Sequence, residues 1–162
     1  MFASRCLLQR LCLLAVLVLP GHGLMAADVA PARATAAAMR GNATAPVSVV
    51  YHLSDGLDQA ARAMGNIHNH LIAEPDVHIV VVGLANGVDF MVKGAHDARG
   101  NAFEPTIAEL AKQGVEFRAC NNTLQARNID RATLVPQAKV VPAGVAEITR
   151  LQFRDGYAYF RP

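Results

Sequence analysis

The chain has 162 residues, three cysteines, no tryptophan and a formal net charge of +2. That length suits one domain with a substantial core. A near-neutral balance without a basic stripe argues against nucleic acid or an anionic membrane as a partner, and so few cysteines exclude a disulfide-stapled scaffold.

The first stretch reads as a targeting segment. Arg5 and Arg10 precede the apolar run from Leu11 to Leu19, Pro20 and Gly21 break it, and the small residues Ala26 and Ala27 follow. This is the order of a secretory signal peptide over residues 1–27. The run is shorter than the roughly 20 residues of a spanning helix. Export, to a periplasm, is therefore expected, with no stable membrane insertion after cleavage; the alternative is an uncleaved membrane anchor. Cleavage would remove two of the 15 Lys and Arg residues, leaving 13 against 13 Asp and Glu. It would also remove Cys6 and Cys12, so that Cys120 is the one remaining thiol, in an oxidising compartment. Residues 28–46 are rich in Ala and Pro with few bulky apolar side chains, and read as a disordered linker. The folded domain is placed at 47–162.

In that domain, the β-branched and aromatic run Val47–Leu53 predicts a strand, and Ser54 and Asp55 offer helix N-caps. Leu57, Ala60, Ala61, Met64, Ile67, His68, Leu71 and Ile72 recur at helical spacing and predict an amphipathic helix over 57–73, closed by Pro75. Val77–Leu84 is a second strand. Its centre, Ile79 to Val82, is apolar at every position, as in a strand covered on both faces. Asn86–Gly94 is a loop or short helix. A helix over Glu104–Gln113 stops at Gly114. A third strand at Val115–Ala119, a helical turn at Thr123–Asn128, a fourth strand at Lys139–Val141, a helix at Gly144–Gln152 and a last strand at Tyr157–Phe160 complete the chain. The alternation predicts an α/β fold: a three-layer sandwich with a mostly parallel sheet of about five strands and a flavodoxin-like topology. In such sheets the functional crevice lies beyond the carboxyl ends of the strands. That directs attention to His52–Gly56, Gly83–Val88 and Cys120–Leu124.

Cys120 is the leading candidate. Alternation puts Glu116, Arg118 and Cys120 on one side of the third strand and Val115, Phe117 and Ala119 on the other. Asn121, Asn122 and Thr123 follow, all good helix starters, so the thiol stands at a strand's carboxyl end and a helix's amino end. Backbone N–H groups there favour an anion and lower a thiol pKa. The opposing reading is that Cys120 is a small buried apolar filler, as free cysteines commonly are. Arg118, Asn121 and Asn122 are candidates to stabilise a charged sulfur, and His52 and His96 to move a proton. His68 and His70 do not share a helix face, no histidine grouping has zinc spacing, and no metal or cofactor is assigned. Ser54 and Asp55 beside His52 cannot form a hydrolase relay from one turn. Gly83-Leu-Ala-Asn86-Gly87 lacks a phosphate-loop pattern and reads as a sharp turn.

The segments GVEFRACNNTL and VVPAGVAEITRLQFRDGYAYFRP, with VVYHLSDG nearer the front, resemble the DsrE/DsrF-like family over about 47–162. That family is associated with sulfur oxidation and sulfur relay. The resemblance implies a compact α/β sandwich, a homo-oligomer (trimer or hexamer), and a cysteine that carries sulfur as a persulfide between a donor and an acceptor protein. Carried onto this sequence, that role falls on Cys120. The expectation is a sulfur carrier or sulfurtransferase-like protein; the alternative is a non-catalytic oligomeric ligand-binding or interaction module in which Cys120 is structural. A third reading is a redox sensor acting through an intermolecular Cys120 disulfide.

Overall fold

The computed structural model describes residues 46–162. The expected signal peptide, and all but the last residue of the expected linker, lie outside the described residues. The strands are β1 (Ser48–Leu53), β2 (His78–Gly83), β3 (Glu116–Cys120), β4 (Ala138–Val141) and β5 (Ala158–Phe160). The helices are α1 (Leu57–Ala73), α2 (Phe103–Lys112), α3 (Asn121–Ala126) and α4 (Gly144–Phe153), with 3-10 helices at Ala85–Met91 and Arg131–Thr133. Strand order is β4-β3-β2-β1-β5, and every neighbouring pair is parallel. The α/β sandwich and five-stranded parallel sheet expected from the alternation are present. Two local readings change: the uncertain segment after β2 is a 3-10 helix, and α3 begins at Asn121, directly after the third strand.

Strand order decides which face each helix covers. From β1 to β4 the chain steps steadily toward one edge, so right-handed crossovers lay every connection on the same face. The last crossover runs back past three strands to place β5 beside β1, which sends α4 to the opposite face. The sheet is thus doubly wound like flavodoxin, but its direction reverses only at the last connection. The two cores reflect this. On the larger side Val49, Tyr51, Leu53, Ile79, Val81, Phe117 and Ala119 pack against Ile67, Phe90, Ile107 and Leu124. On the other, Val50, Val80 and Val82 meet only Ile148 and Leu151 of α4, with Leu84 and Tyr157 at the margin. The apolar centre of β2 is buried on both faces, as its composition implied.

The rule for ligand crevices in such sheets concerns adjacent strands whose outgoing connections leave for opposite faces. Here those strands are β3, which leads into α3 and the larger core, and β4, which leads into α4. The crevice therefore falls at Cys120.

The β1–α1 loop departs from expectation. Neither Ser54 nor Asp55 caps α1; Gly56, at φ 92°, precedes the helix without a side-chain cap. Instead the buried Gln59 reaches back and accepts the Ser54 and Asp55 N–H groups at 2.7 and 2.8 Å. Its own amide donates to the Pro162 carbonyl at 3.2 Å, tying the end of the chain to this loop. The Ser54 and Asp55 side chains are engaged by Arg161. His68, read as part of the α1 apolar stripe, is exposed. Among the described residues, no helix is long and apolar enough to cross a membrane.

Gly83 and Gly87 let the 3-10 helix pack directly on the end of β1. A Cβ on Gly87 would lie 2.0 Å from the Leu53 carbonyl oxygen, and one on Gly83 would lie 2.3 Å from the Gly87 oxygen. The glycines of this turn thus serve backbone approach. Gly87→Ala is expected to cost about 3 kcal/mol in urea denaturation. Gly65→Ala, on an open stretch of α1 with nothing within 4 Å of the new methyl, is expected to gain about 0.5–1 kcal/mol. Equal effects at the two sites would overturn this account.

Candidate functional site at the end of the third strand

Cys120 ends β3 and is also the residue from which α3 starts. Its partner in the sheet is Val141, the last residue of β4, and three residues later α4 begins at Gly144. The thiol therefore sits between the starts of two helices that lie on opposite faces. The Gly144 N–H donates to Cys120 Sγ at 3.1 Å. A Cβ on Gly144 would stand 3.1 Å from the Cys120 Cβ and 3.1 Å from Leu84 Cδ2, so a glycine here permits the helix to come this close.

Two opposed effects act on the thiol. Burial alone pushes its pKa up, since a thiolate loses hydration. Against this stand the Gly144 N–H, the Thr123 N–H and hydroxyl, and the Asn122 N–H, all favouring the anion. The net result is a pKa below the ordinary thiol value. Thr123 is well placed for its part: its oxygen already accepts the Ala85 N–H at 2.9 Å, which leaves the hydroxyl proton free to donate. Cys120 is 5% exposed, yet it lines a cavity of about 500 Å³. The walls are mainly apolar, from Leu84, Ala85, Ala126, Ala143 and Val145, with Asn86, Asn122, Thr123 and Arg127 supplying the polar groups. A larger cavity of about 850 Å³, between α1, α2 and the loop near Asp97, has no thiol or imidazole in its lining.

The residues proposed to support Cys120 fare differently. Asn122 lines the cavity and contributes its backbone N–H. Asn121 does not: its side-chain oxygen accepts from Arg131 on the far side of α3. Arg118 lies on the same side of β3 as Cys120, as alternation required, but its guanidinium is paired with Glu147 of α4 and with Glu116 at 3.0 Å. Arg127, at the rim, is paired with Asp89 at 2.6 Å and donates to the Ala85 carbonyl at 3.0 Å. Neither arginine brings a free positive charge to the sulfur.

Neither histidine reaches it. His52 stands on β1, two strand spacings or about 10 Å across the sheet from β3. Its Nδ1 is held by the Tyr159 hydroxyl at 2.7 Å. Burial first, and then Arg161, push its pKa down, with Asp55 opposing. His96 is turned onto the Gly94 carbonyl at 2.6 Å and takes no part in lining the cavity. Neither imidazole is therefore placed to exchange a proton with Cys120. Sequence reasoning missed Gly144 and Thr123 as sulfur partners. The glycine at the start of the Pro-Ala-Gly-Val-Ala-Glu helix and the threonine three residues beyond the cysteine were visible, but the contact from Gly144 to the sulfur spans 24 residues, and the Ala85 N–H that orients the Thr123 hydroxyl lies 38 residues away.

Alkylation of the folded protein with iodoacetamide across a pH series is expected to give a Cys120 midpoint below the roughly 8.5 of a free thiol. Thr123→Val keeps the side-chain shape and removes the hydroxyl. It is expected to raise that midpoint by about half to one unit and to cost about 1 kcal/mol of stability from the orphaned Ala85 N–H. An unmoved midpoint would remove the hydroxyl from the site.

The chain matches the DsrE/DsrF-like family over residues 20–162. No curated protein matches it. Among solved structures it is similar to the protein of unknown function MTH1491 from Methanobacterium thermoautotrophicum. That pair shares 32% identity and a TM-score of 0.64, over 72% of this chain and 99% of the other. The ychN protein from E. coli has the same fold at 14% identity and a TM-score of 0.55, over 71% of this chain and 98% of that one. Both solved structures share the fold, and the family match over most of the chain places this protein in the DsrE/DsrF-like family.

Proposed function

We propose that this protein carries sulfane sulfur on Cys120. The observation that carries the reading is a thiol whose anion is favoured by the Gly144, Asn122 and Thr123 donors against the cost of burial, on the wall of a cavity large enough for a small donor. The DsrE/DsrF-like membership supports the same chemistry. In the loading step the Cys120 thiolate attacks the outer sulfur of a persulfide R–S–SH. A new S–S bond forms on Cys120 while the donor's own S–S bond breaks, giving Cys120–S–SH and the thiolate R–S⁻, which takes a proton from water. No net oxidant is consumed. In the unloading step an acceptor thiolate attacks the outer sulfur and Cys120 departs as a thiolate, the form its surroundings favour. Thr123 would hold the charged sulfur in both steps.

The small exposure of Cys120 supports a second reading, in which the protein is a binding or interaction module and the thiol only fills the junction. Thiol labelling separates the two. A Cys120 that resists alkylation until denaturant is added favours the module; rapid labelling in the folded state favours the nucleophile. The N-terminal pattern adds export to the proposal, checked by whether protein recovered from the periplasm begins near residue 28. Assembly as a trimer or hexamer is part of the same proposal, and light scattering after size exclusion tests it.

The direct test is incubation with an organic hydropersulfide followed by intact mass spectrometry. One added sulfur atom is expected on the folded protein, removable by a reducing thiol. Absence of the adduct, or an equal adduct on Cys120→Ala, overturns the sulfur-carrier reading.

A further inference from the structure

The side of the sheet beneath α4 carries a network of charges that the sulfur chemistry does not use. Glu116 and Arg118 of β3, Lys139 of β4, Glu147 and Arg150 of α4, and Asp155 form it. It holds three carboxylates and three cations, so it is neutral as a whole. Arg118 and Glu147 form its centre, each side chain only 14% exposed, whereas the outer members are more open. Each central residue has a second partner. Arg118 also holds Glu116 at 3.0 Å, and Glu147 also takes Arg150 at 2.9 Å. Such a pair, withdrawn from water and held from both ends, keeps one geometry where a surface pair would not.

Its position is specific. Arg118 stands two residues before Cys120 on the same side of β3. Glu147 stands three residues after Gly144, in the first turn of α4. A helical side chain leans toward the amino end of its helix, so Glu147 reaches back along α4 as Arg118 reaches up from the strand. A closed ring results: Cys120 to Arg118 along the strand, Arg118 to Glu147 through the ion pair, Glu147 to Gly144 along the helix, and Gly144 N–H to Sγ. Only two joints of this ring are non-covalent, and each holds the other in register. Neither Arg118 nor Glu147 hydrogen-bonds Sγ itself.

We infer that Arg118 and Glu147 are positioning residues for Cys120, clamping the first turn of α4 to β3 so that the Gly144 N–H stays on the sulfur. The inference deepens the sulfur-carrier proposal, but its geometric content stands apart from what the thiol carries. It also gives Arg118 a role different from the one its place in the sequence suggests: it acts through the helix, not through its own charge on the sulfur.

Coulomb effect and positioning predict opposite signs for one substitution. Glu147→Ala deletes a negative charge near the site, and charge alone would make the Cys120 thiolate easier to form. Loss of the clamp would instead let the Gly144 N–H drift from Sγ and make it harder. The charged or titratable groups around the junction are Arg118, Glu116 and Lys139 from the sheet, Arg127 at the end of α3, and Glu147 with Arg150 from α4, and of these the substitution removes Glu147 alone, leaving Glu116 to hold Arg118 and Asp155 to hold Arg150. The measurement is the pH midpoint of iodoacetamide alkylation of the full chain, with circular dichroism and a melting curve to establish that each variant folds. For Glu147→Ala a rise of about half to one unit is expected. Glu147→Gln loses the same charge but keeps an oxygen that can accept from Arg118, so its midpoint is expected to lie closer to the parent. If the alanine variant does not fold, the glutamine variant and Arg118→Lys, which keeps the charge and loses the fork, carry the test. Both are then expected above the parent.

A midpoint that falls, or stays where it was, in folded Glu147→Ala overturns the inference, as does an equal fall in Ala and Gln variants. Loading with a hydropersulfide is followed in parallel. A raised midpoint in the variant while the parent takes up no sulfur would leave the clamp intact and remove the sulfur-carrier reading. Normal sulfur uptake with an unmoved midpoint would do the reverse.

Discussion

The contact on which the site depends is the hydrogen bond from the Gly144 backbone to the Cys120 sulfur. It joins the end of one strand to the start of a helix on the opposite face of the sheet. Such a meeting is available only where neighbouring strands send their connections in opposite directions, and in this strand order that occurs between β3 and β4. Right-handed crossovers make the arrangement unavoidable once β5 returns to pair with β1. The junction then needs a residue without a Cβ at the helix start, because a methyl there would press on both Cys120 and Leu84. Topology, handedness and one glycine together bring a backbone donor to the sulfur.

The thiolate is favoured by dipoles and not by a neighbouring cation. Both arginines within sequence reach of it are committed elsewhere, Arg118 to Glu147 and Glu116, Arg127 to Asp89. What remains around the sulfur are N–H groups and one hydroxyl. Fixed donors of this kind act at contact range and are little affected by salt, in contrast to the steering of charges at a distance. They also leave the cavity wall mainly apolar. The charge network on the same side of the sheet, neutral as a whole, pairs the first turn of α4 with β3.

The far end of the sheet shows a different use of polar groups. Gln59, His52, Tyr159 and Arg161 tie the last strand and the carboxyl terminus to the β1–α1 loop. β5 has only three residues, all exposed, and Phe160 against Tyr51 is its main aromatic contact with the larger core. A strand this short is held by side-chain contacts at its end as much as by its ladder with β1. His52, which sequence position made a candidate proton carrier, belongs to this fastening and not to the thiol.

Most of the fold was legible in the residues. Apolar periodicity separated strands from helices, the unbroken apolar centre of β2 announced a sheet covered on both faces, and alternation along β3 put Glu116, Arg118 and Cys120 on one side. These are local properties, set by steric preference and by the two- and 3.6-residue repeats of the backbone. The position of Cys120 at a strand end and a helix start was local too. So were the Asn122 and Thr123 N–H groups beside it; its other partners were not. Gly144, Thr123 with Ala85, and the pairing of Arg118 with Glu147 depend on which strands lie side by side and on which face α4 returns, and those follow from crossover handedness over the whole chain. The sequence by itself determined the elements and the one cysteine among the described residues. The tertiary structure alone decided which distant groups meet that thiol, because hydrogen bonds and ion pairs between residues 24 and 29 positions apart exist only after the sheet has been ordered.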